Sequence, residues 1–422
     1  MAEPSDVPSI DGQVERLFYG AEFGDPGLER AMRRELRQRL EEARAEGRPL
    51  RVYCGYDPTA PDLHLGHSIT LRRLRLFQDL GHHVIFLVGT FTALVGDTSD
   101  KLTGRPRKSP EEVREAARTY AEQCFLILDR ERTEVVYNGD WLNEVRFPTV
   151  VDLAAHFTVQ QFLARENFRR RIEGGDPVGL HEFLYPLCQG YDAVHLRADV
   201  QLGATEQLFN IMAGRRLQQV HGQRPCIALT FPVLVGTDGK ERMSKSKGNT
   251  VGLREPPEEQ YGKVMSIPDE AMVQWLRLVT RFTPEEVEER LRRLREGRLH
   301  PMALKKELAF EIVSMYHGRE AAEAAARHFE RVHQARRLPE RIPELAVAGP
   351  VGVVEALERA GLVRSRSEAR RLIQGGGVRV DGRTVASHEE RVGPGALVQV
   401  GRRRFLRLVA QGPEAAGEAA GG

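Results

Sequence analysis

The run Val84-Ile85-Phe86-Leu87-Val88-Gly89 constrains the fold more than any other stretch of the chain, because it carries no polar side chain and ends on a glycine. Such a segment suits a strand covered by helices on both faces, which points to a largely parallel sheet. A second strand-like segment, Leu50-Arg51-Val52-Tyr53-Cys54-Gly55, precedes it. Between the two, residues from about Gly66 to Leu80 place Leu71, Leu74 and Phe77 on one helical face. Strand, helix, strand in this order is a right-handed crossover unit. The alternation continues with a helix over Glu111 to Leu128, a strand over Glu134 to Asn138, helical turns from Val150 to Ile172 and a strand over Ile227 to Thr230. The expected fold class is α/β, a doubly wound parallel sheet whose ligand crevice lies at the carboxyl ends of its strands.

From about Glu258 to Val332 the strand signals vanish and charged amphipathic helices take over, one opening at Pro284-Glu285-Glu286 and another running through Lys305 to Met315. Pro339, Pro343 and Pro350 punctuate a linker. Beyond it, Val353 to Leu362 and Ser367 to Ile373 read as short helices, followed by strand-like Gly377-Val378-Arg379-Val380 and a hairpin ending near Arg407. The Gly/Ala-rich tail from Gln411 reads as disordered.

Composition closes off several function classes. With 41% hydrophobic and 29% charged residues and no apolar run of membrane-spanning length, the chain is not expected to cross a bilayer. Its start, Met1-Ala2-Glu3-Pro4-Ser5-Asp6, lacks the basic and apolar regions of a secretory signal, so a cytoplasmic location is expected. Cys54, Cys124, Cys188 and Cys226 are far apart and form no C-x-x-C pair, which argues for reduced thiols and against a zinc site. The formal charge of +2 hides 62 basic residues against 60 acidic ones, so local patches matter more than the total.

The chemistry concentrates in two places. In Asp57-Pro58-Thr59-Ala60-Pro61-Asp62-Leu63-His64-Leu65-Gly66-His67 two histidines flank a glycine where a strand gives way to a helix. A helix N-terminus attracts anions, glycine permits close approach of a nucleotide, and imidazoles can donate to a phosphate whose charge grows during reaction. Alone, the segment reads equally well as a pair of surface or metal-binding histidines. The second place, Lys240-Glu241-Arg242-Met243-Ser244-Lys245-Ser246-Lys247-Gly248-Asn249, crowds cations and hydroxyls into one loop suited to gripping and releasing a polyphosphate, or simply to being solvated.

In this order and at this separation the two segments resemble the HIGH and KMSKS signatures of class I aminoacyl-tRNA synthetases. Val52-Tyr53-Cys54-Gly55-Tyr56-Asp57-Pro58-Thr59, Val95-Gly96-Asp97 and Tyr185-Pro186-Leu187-Cys188-Gln189-Gly190-Tyr191-Asp192 are similar to the pattern of bacterial tyrosyl-tRNA synthetases, over nearly the whole chain. The resemblance implies a Rossmann-like catalytic domain that joins tyrosine to its tRNA through an adenylate, with ATP as substrate, Mg2+ accompanying it outside any protein cage, and no covalent enzyme intermediate. It implies that Tyr53 and Asp192 meet the phenolic hydroxyl of tyrosine, that Asp97, Tyr185 and Gln189 hold its ammonium, and that Gln207 completes the pocket. On the nucleotide side it assigns Thr59, His64, His67, Arg242 and Lys245 to catalysis at the phosphates. Cys54 and Thr70 fall near the ribose, and Gly55, Asp57, Gly66, Glu206, Met243, Ser244 and Ser246 complete the ATP site.

Three stretches depart from the family pattern. Asp97-Thr98-Ser99-Asp100 stands where many members have Asp-Pro-Ser-Gly, Gly203-Ala204-Thr205-Glu206-Gln207 replaces Gly-Gly-Ser/Thr-Asp-Gln, and Arg242 replaces the first lysine of the signature loop. Glu206 is one methylene longer than the aspartate that contacts the ribose in the family.

Near the C-terminus, Arg364, Arg366, Arg370, Arg371 and Arg379 recur beside a glycine turn, with Arg402-Arg403-Arg404 nearby. This region resembles an S4 RNA-binding module, and guanidinium groups so spaced match phosphates along structured RNA. The resulting organisation is an N-terminal helical segment (1–47), a catalytic domain with an inserted helical connective region (48–250), a helical anticodon-binding domain (251–335), a linker (336–350), an α+β S4-like domain (351–409) and a disordered tail (410–422). The implied partners are tRNA(Tyr), tyrosine, ATP and a second copy of the chain. Two other readings compete: an enzyme of the same class for another aromatic amino acid, and a non-catalytic RNA-binding paralogue. Tyr53 with Asp192 argues against the first, since an indole has no hydroxyl for them; His64, His67 and Lys245 argue against the second.

Overall fold

The apolar run forms a strand at the heart of a five-stranded sheet. In the computed structural model, which describes residues 8–58, 62–99, 109–331, 342–363, 365–401 and 404–411, the strands are Arg51–Tyr56 (β1), His83–Val88 (β2), Thr133–Tyr137 (β3), Val200–Ala204 (β4) and Ile227–Phe231 (β5). They pair only in parallel, in the order β3-β2-β1-β4-β5. Strand order reverses between β1 and β4, which pair Tyr53 with Gln201 and Cys54 with Leu202. A crevice opens at such a reversal, because the crossover connections on its two sides leave in opposite directions.

Helices Ile10–Phe18 (α1), Pro26–Glu46 (α2), Leu65–Asp79 (α3), Thr92–Val95 (α4) and Pro110–Cys124 (α5) accompany the first strands. Between β3 and β4 come Gly139–Leu142 (α6), Phe147–Ala155 (α7), Val159–Leu163 (α8), Glu166–Glu173 (α9) and Tyr185–His195 (α10), and Leu208–Val220 (α11) joins β4 to β5. Local chemistry sets several ends. Ser109 caps α5 in a reciprocal box with Glu112, and Gly47, at φ +64°, closes α2 in a left-handed turn.

The helices Pro257–Ser266 (α12), Met272–Val279 (α13), Pro284–Arg295 (α14), Pro301–His317 (α15) and Arg319–Phe329 (α16) follow. Trp275, Leu276, Leu308 and Ile312 belong to the same buried core as Val52, Phe86 and Leu229. Two links tie these helices to the sheet region. Trp275 Nε1 donates to the Val235 carbonyl at 3.1 Å, and the half-buried guanidinium of Arg72 on α3 reaches the carbonyl of Thr280.

The chain divides into two compact units, Met1–Phe329 and Glu330–Gly422. The second contains Glu344–Val347 (β6), Val351–Gly352 (β7), Val353–Arg359 (α17), Arg366–Gln374 (α18), Val378–Val380 (β8), Arg383–Thr384 (β9), Arg391–Val392 (β10), Leu397–Val400 (β11) and Arg404–Ala410 (β12). Its main sheet runs β6-β12-β11-β8-β9, with β7 and β10 paired separately. Glu344–Val347, expected within the linker, is a strand because it pairs in parallel with β12, register Arg407 to Glu344.

Candidate functional site

The carboxyl ends of the parallel strands deliver polar side chains to one cleft of about 230 Å³. Tyr53 reaches it from β1, 1% exposed, and its hydroxyl has no hydrogen-bond partner among the described residues. Asp192, on α10, lines the same cleft at 2% exposure. Its two oxygens accept from Trp141 Nε1 at 2.9 Å and Asn138 Nδ2 at 3.1 Å. Burial pushes the Asp192 carboxyl up to about 8, with those two hydrogen bonds pulling the other way. Burial, and then the charge of Asp192, drives the Tyr53 phenol well above its ordinary range. A buried phenol and carboxyl that face a cleft with unused hydrogen-bonding capacity suit a ligand carrying a hydroxyl.

Asp97 lies across the cleft beyond α4. One of its oxygens accepts from the Ser99 amide at 2.8 Å and the other from Gln207 Nε2 at 2.6 Å. Asn210 Nδ2 then bridges Gln189 Oε1 at 3.0 Å and Gln207 Oε1 at 3.1 Å. The carboxylate and amide oxygens so assembled form an acceptor-rich pocket, the chemistry an ammonium group needs. Tyr185 also lines the cleft, and its hydroxyl donates to Asp57 Oδ2 at 2.9 Å.

At the other end, β1 leads through Asp57 to α3. Asp57 Oδ1 accepts from Thr92 Oγ1 at 2.6 Å, and a Cβ at Gly89 would sit 2.0 Å from that same oxygen, so the position after β2 excludes any side chain. His64 caps α3: its Nδ1 accepts from the Gly66 amide at 3.1 Å, while His67 Nδ1 accepts from the His64 amide, also at 3.1 Å. With Nδ1 occupied as an acceptor, each neutral ring carries its proton on Nε2. Burial, assisted by the neighbouring His67, Lys245 and Arg242 charges, lowers His64 to about 2; burial and Lys245 lower His67 to about 4. The two rings, 4.0 Å apart, are thus neutral donors at physiological pH. Gly55, Gly66, His67 and Thr70 line the cleft, as does Cys54, whose thiol burial raises to about 11. Thr59 lies outside the described residues.

The cationic loop is fastened beside this end. Val251 and Leu253 flank a bridge between His64 and Gly252, with Leu65 N donating to Val251 O at 2.9 Å and Leu253 N to Leu63 O at 3.0 Å. Asn249 holds the loop's shape, accepting from the Ser244 amide at 2.8 Å and donating to Asp238 at 2.7 Å. Met243 is buried; Ser244 and Ser246 share a 2.8 Å hydrogen bond. Arg242 stands 3.5 Å from Glu206, which lines the cleft, and Lys245 stands 3.2 Å from Asp62. The Lys245 pair is open to solvent, and exposed pairs of this kind contribute at most about 1 kcal/mol, so an anion can displace it at little cost. His64, Arg242, Met243, Ser244, Lys245 and Ser246 border the site without lining the cleft itself.

The sequence-derived residues therefore converge, apart from Thr59. Sequence reasoning missed Thr92, Asn138 and Trp141, which form a chain from Asp57 through Thr92 and Asn138 to Asp192 and Trp141. Asn138 carried a usable signal: it is the residue just after a parallel strand, where site residues concentrate.

In the second unit, α18 buries Ala369 and Ile373 while Arg366, Arg370 and Arg371 are exposed, and Arg379 points outward between buried Val378 and Val380. Arg366 also pairs with Glu358 at 2.7 Å. Arg364 lies outside the described residues.

Residues 45–334 match the family described as tRNA synthetases class I (W and Y), and residues 352–398 match the S4 domain. A curated relative from Desulfotalea psychrophila, named tyrosine–tRNA ligase, is 42% identical over 408 residues, 96% of this chain and 99% of its own. One of the same name from Thermotoga maritima is 44% identical over 371 residues, 87% of this chain and 92% of its own. The solved tyrosyl-tRNA synthetase from Archaeoglobus fulgidus, complexed with L-tyrosine, superposes with a TM-score of 0.59 at 24% identity, over 75% of this chain and all of that one, a likeness of fold alone.

Proposed function

The chain belongs to the class I tRNA synthetases (W and Y) and is an aminoacyl-tRNA ligase, and from that premise we propose that it activates tyrosine with MgATP and then esterifies the 3′-terminal adenosine of tRNA(Tyr). The observation that carries the choice of amino acid is the Tyr53 hydroxyl, buried without a protein partner among the described residues, in the cleft that Asp192 also lines. Tyrosine gives both groups a partner. Phenylalanine and tryptophan bring no hydroxyl and leave the buried Tyr53 hydroxyl unpaired, at a cost of about 1–3 kcal/mol.

In this reading Asp97 and Gln189 accept from the substrate ammonium, with Tyr185 and Gln207 closing the pocket around it. The tyrosine carboxylate attacks the α-phosphorus in line and pyrophosphate departs, with no enzyme-bound acyl group. His64 and His67 donate Nε2–H to phosphate oxygens as charge builds there, beside the amide-rich start of α3. Arg242 and Lys245 exchange Glu206 and Asp62 for the leaving pyrophosphate. Glu206 then faces the ribose, keeping the charge of the aspartate that the family pattern has there. The enzyme works by positioning and electrostatics throughout. The S4-like unit, with Arg366, Arg370, Arg371 and Arg379 outward, binds tRNA by its backbone, and α12 to α16 meet the anticodon arm.

A second copy of the chain completes the assembly in the cytoplasm. The support for a dimer is apolar surface concentrated in one connective stretch: Phe147 is 79% exposed, Val159 61% and Leu180 83%. Exposed apolar clusters of that kind mark protein interfaces.

Amino-acid-dependent ATP–pyrophosphate exchange tests the activity, with tyrosine, phenylalanine and tryptophan compared side by side. Exchange driven by tyrosine alone is expected; exchange driven by tryptophan, or by none of the three, overturns the proposal.

A further inference from the structure

Asp97 is fixed from two sides, and one of them lies outside everything assigned to the reaction. The residue after it, Thr98, is 3% exposed, and its Oγ1 donates to Glu182 Oε2 at 2.7 Å. Glu182 is itself 3% exposed and receives both terminal nitrogens of Arg171, at 2.5 and 3.0 Å, together with the Gly179 amide at 2.7 Å. Burial works against the charge of Glu182, yet the hydrogen bonds from Arg171, Thr98 and Gly179 hold its carboxyl below the usual range. Asn167 Nδ2 donates to the Thr98 carbonyl at 2.7 Å, and Arg165 donates to Ser99 Oγ at 2.6 Å. Two side chains in and beside α9, Asn167 and Arg165, thus meet the two residues that follow Asp97, and a third, Arg171, reaches Thr98 through Glu182.

A buried ion pair carries a large desolvation cost, and apolar packing of equal volume often serves stability as well or better. The same pair is a rigid, directional anchor, and an anchor explains its position here. We propose that the Arg171–Glu182 pair, acting through the Thr98 hydroxyl, is a positioning device that sets the Asp97 carboxylate for the substrate ammonium. The proposal rests on the reading that Asp97 receives that group. The device needs a hydroxyl at position 98, which the proline that many members of the family carry there cannot give to Glu182. Thr98 therefore replaces the rigidity of a proline ring with a hydrogen bond to a buried charge.

The test uses the full-length protein and two ligands, tyrosine and 3-(4-hydroxyphenyl)propionate, which keeps the phenol and carboxylate but lacks the ammonium. Thr98→Val removes the donor at nearly constant volume. It is expected to weaken tyrosine binding about ten-fold, the effect of one buried hydrogen bond. The amine-free analogue, the KM for ATP and kcat at saturating tyrosine should be unchanged, and Thr98→Ser should restore wild-type affinity. Should Thr98→Val lower the melting temperature, Thr98→Ala repeats the comparison without the second branch. Unchanged tyrosine affinity, or equal weakening of both ligands, overturns the proposal. Asp97→Asn separates the two levels of inference. If it weakens tyrosine selectively while Thr98→Val does not, the positioning role fails alone; if it shows no selectivity, the ammonium assignment fails and takes the positioning role with it.

Discussion

Trp141 Nε1 donates to Asp192 Oδ1 at 2.9 Å, and the same indole stacks on His195 at 4.3 Å with the rings 12° from parallel. The carboxyl group proposed to meet the substrate hydroxyl is therefore held by a side chain outside the cleft, itself stacked on a neighbour. Replacing Trp141 with phenylalanine keeps the stack and removes the donor. Tyrosine affinity should fall about ten-fold, with a smaller effect on the KM for ATP. Isothermal titration with tyrosine measures the first and exchange kinetics the second; equal losses in both would count against an orienting role.

Asp192 should also leave a mark on stability. Its carboxyl keeps its proton up to about pH 8 in the folded protein, against an ordinary value of 3.8. Between those values the native state binds more protons than the unfolded chain, so this contribution is complete at low pH and is lost as pH rises through about 8. Asp192→Asn has no such slope. The melting temperature of the wild type minus that of the variant should decrease steadily from about pH 5 to about pH 9. A difference that is flat or rises with pH contradicts the buried, protonated state.

His64 and His67 titrate far below neutrality, so the activation step should show no inflection between about pH 5.5 and 7.5 arising from these rings. The role proposed for them is donation from a neutral Nε2–H. His67→Ala should lower the rate of pyrophosphate exchange by about 10² to 10³, the range for losing one preorganised donor to developing charge, while tyrosine affinity stays near wild type. Comparable losses in rate and affinity would remove His67 from the phosphate site.

The contrast between β2 and β4 shows what the sequence could reveal. His83–Val88 is legible because both faces are buried by side chains that are nearly all apolar. Val200–Ala204 is as buried, yet it reads as nothing in particular, since Gln201 and Gly203 break the apolar run. Both residues line the cleft: Gln201 pairs with Tyr53 at the strand-order reversal, and Gly203 lets Gln207 and Ile211 approach to where a Cβ would stand 3.0 and 3.1 Å from them. Motif residues such as His64 and Lys245 were legible through the spacing of two local patterns. Asn138 and Trp141 were not, because their importance arises from contact with Asp192, more than fifty positions away. Thr98 shows the same limit from the other direction: it was visible as a departure, but its partner Glu182 is 84 positions distant.

Self-association through the connective region has a direct test. Leu180 and Phe147 are both strongly exposed for large apolar residues. Leu180→Asp combined with Phe147→Glu should convert a dimer to a monomer in sedimentation velocity, because two buried charges on each side of a symmetric interface are left unpaired. Thermal unfolding of the monomer should stay cooperative, since neither side chain is part of a core. A double variant that sediments as the wild type does would place the dimer surface elsewhere.

Charge on the S4-like unit should separate tRNA binding from amino-acid activation. Arg370 and Arg371 are exposed on α18, opposite the Ala369 and Ile373 side that packs into the unit's own core, so replacing both with alanine leaves that core intact. Pyrophosphate exchange needs no tRNA and should be unaffected. Charging of tRNA should weaken at moderate ionic strength, and the dependence of log affinity on log salt should become shallower by about 1 for each phosphate that no longer meets a guanidinium. Charging assays and filter binding across a salt series supply both readouts. A variant that charges tRNA normally at every salt concentration would show that these arginines face solvent only; one that loses affinity at unchanged slope would point to a role in shape or hydrogen bonding instead of phosphate neutralisation.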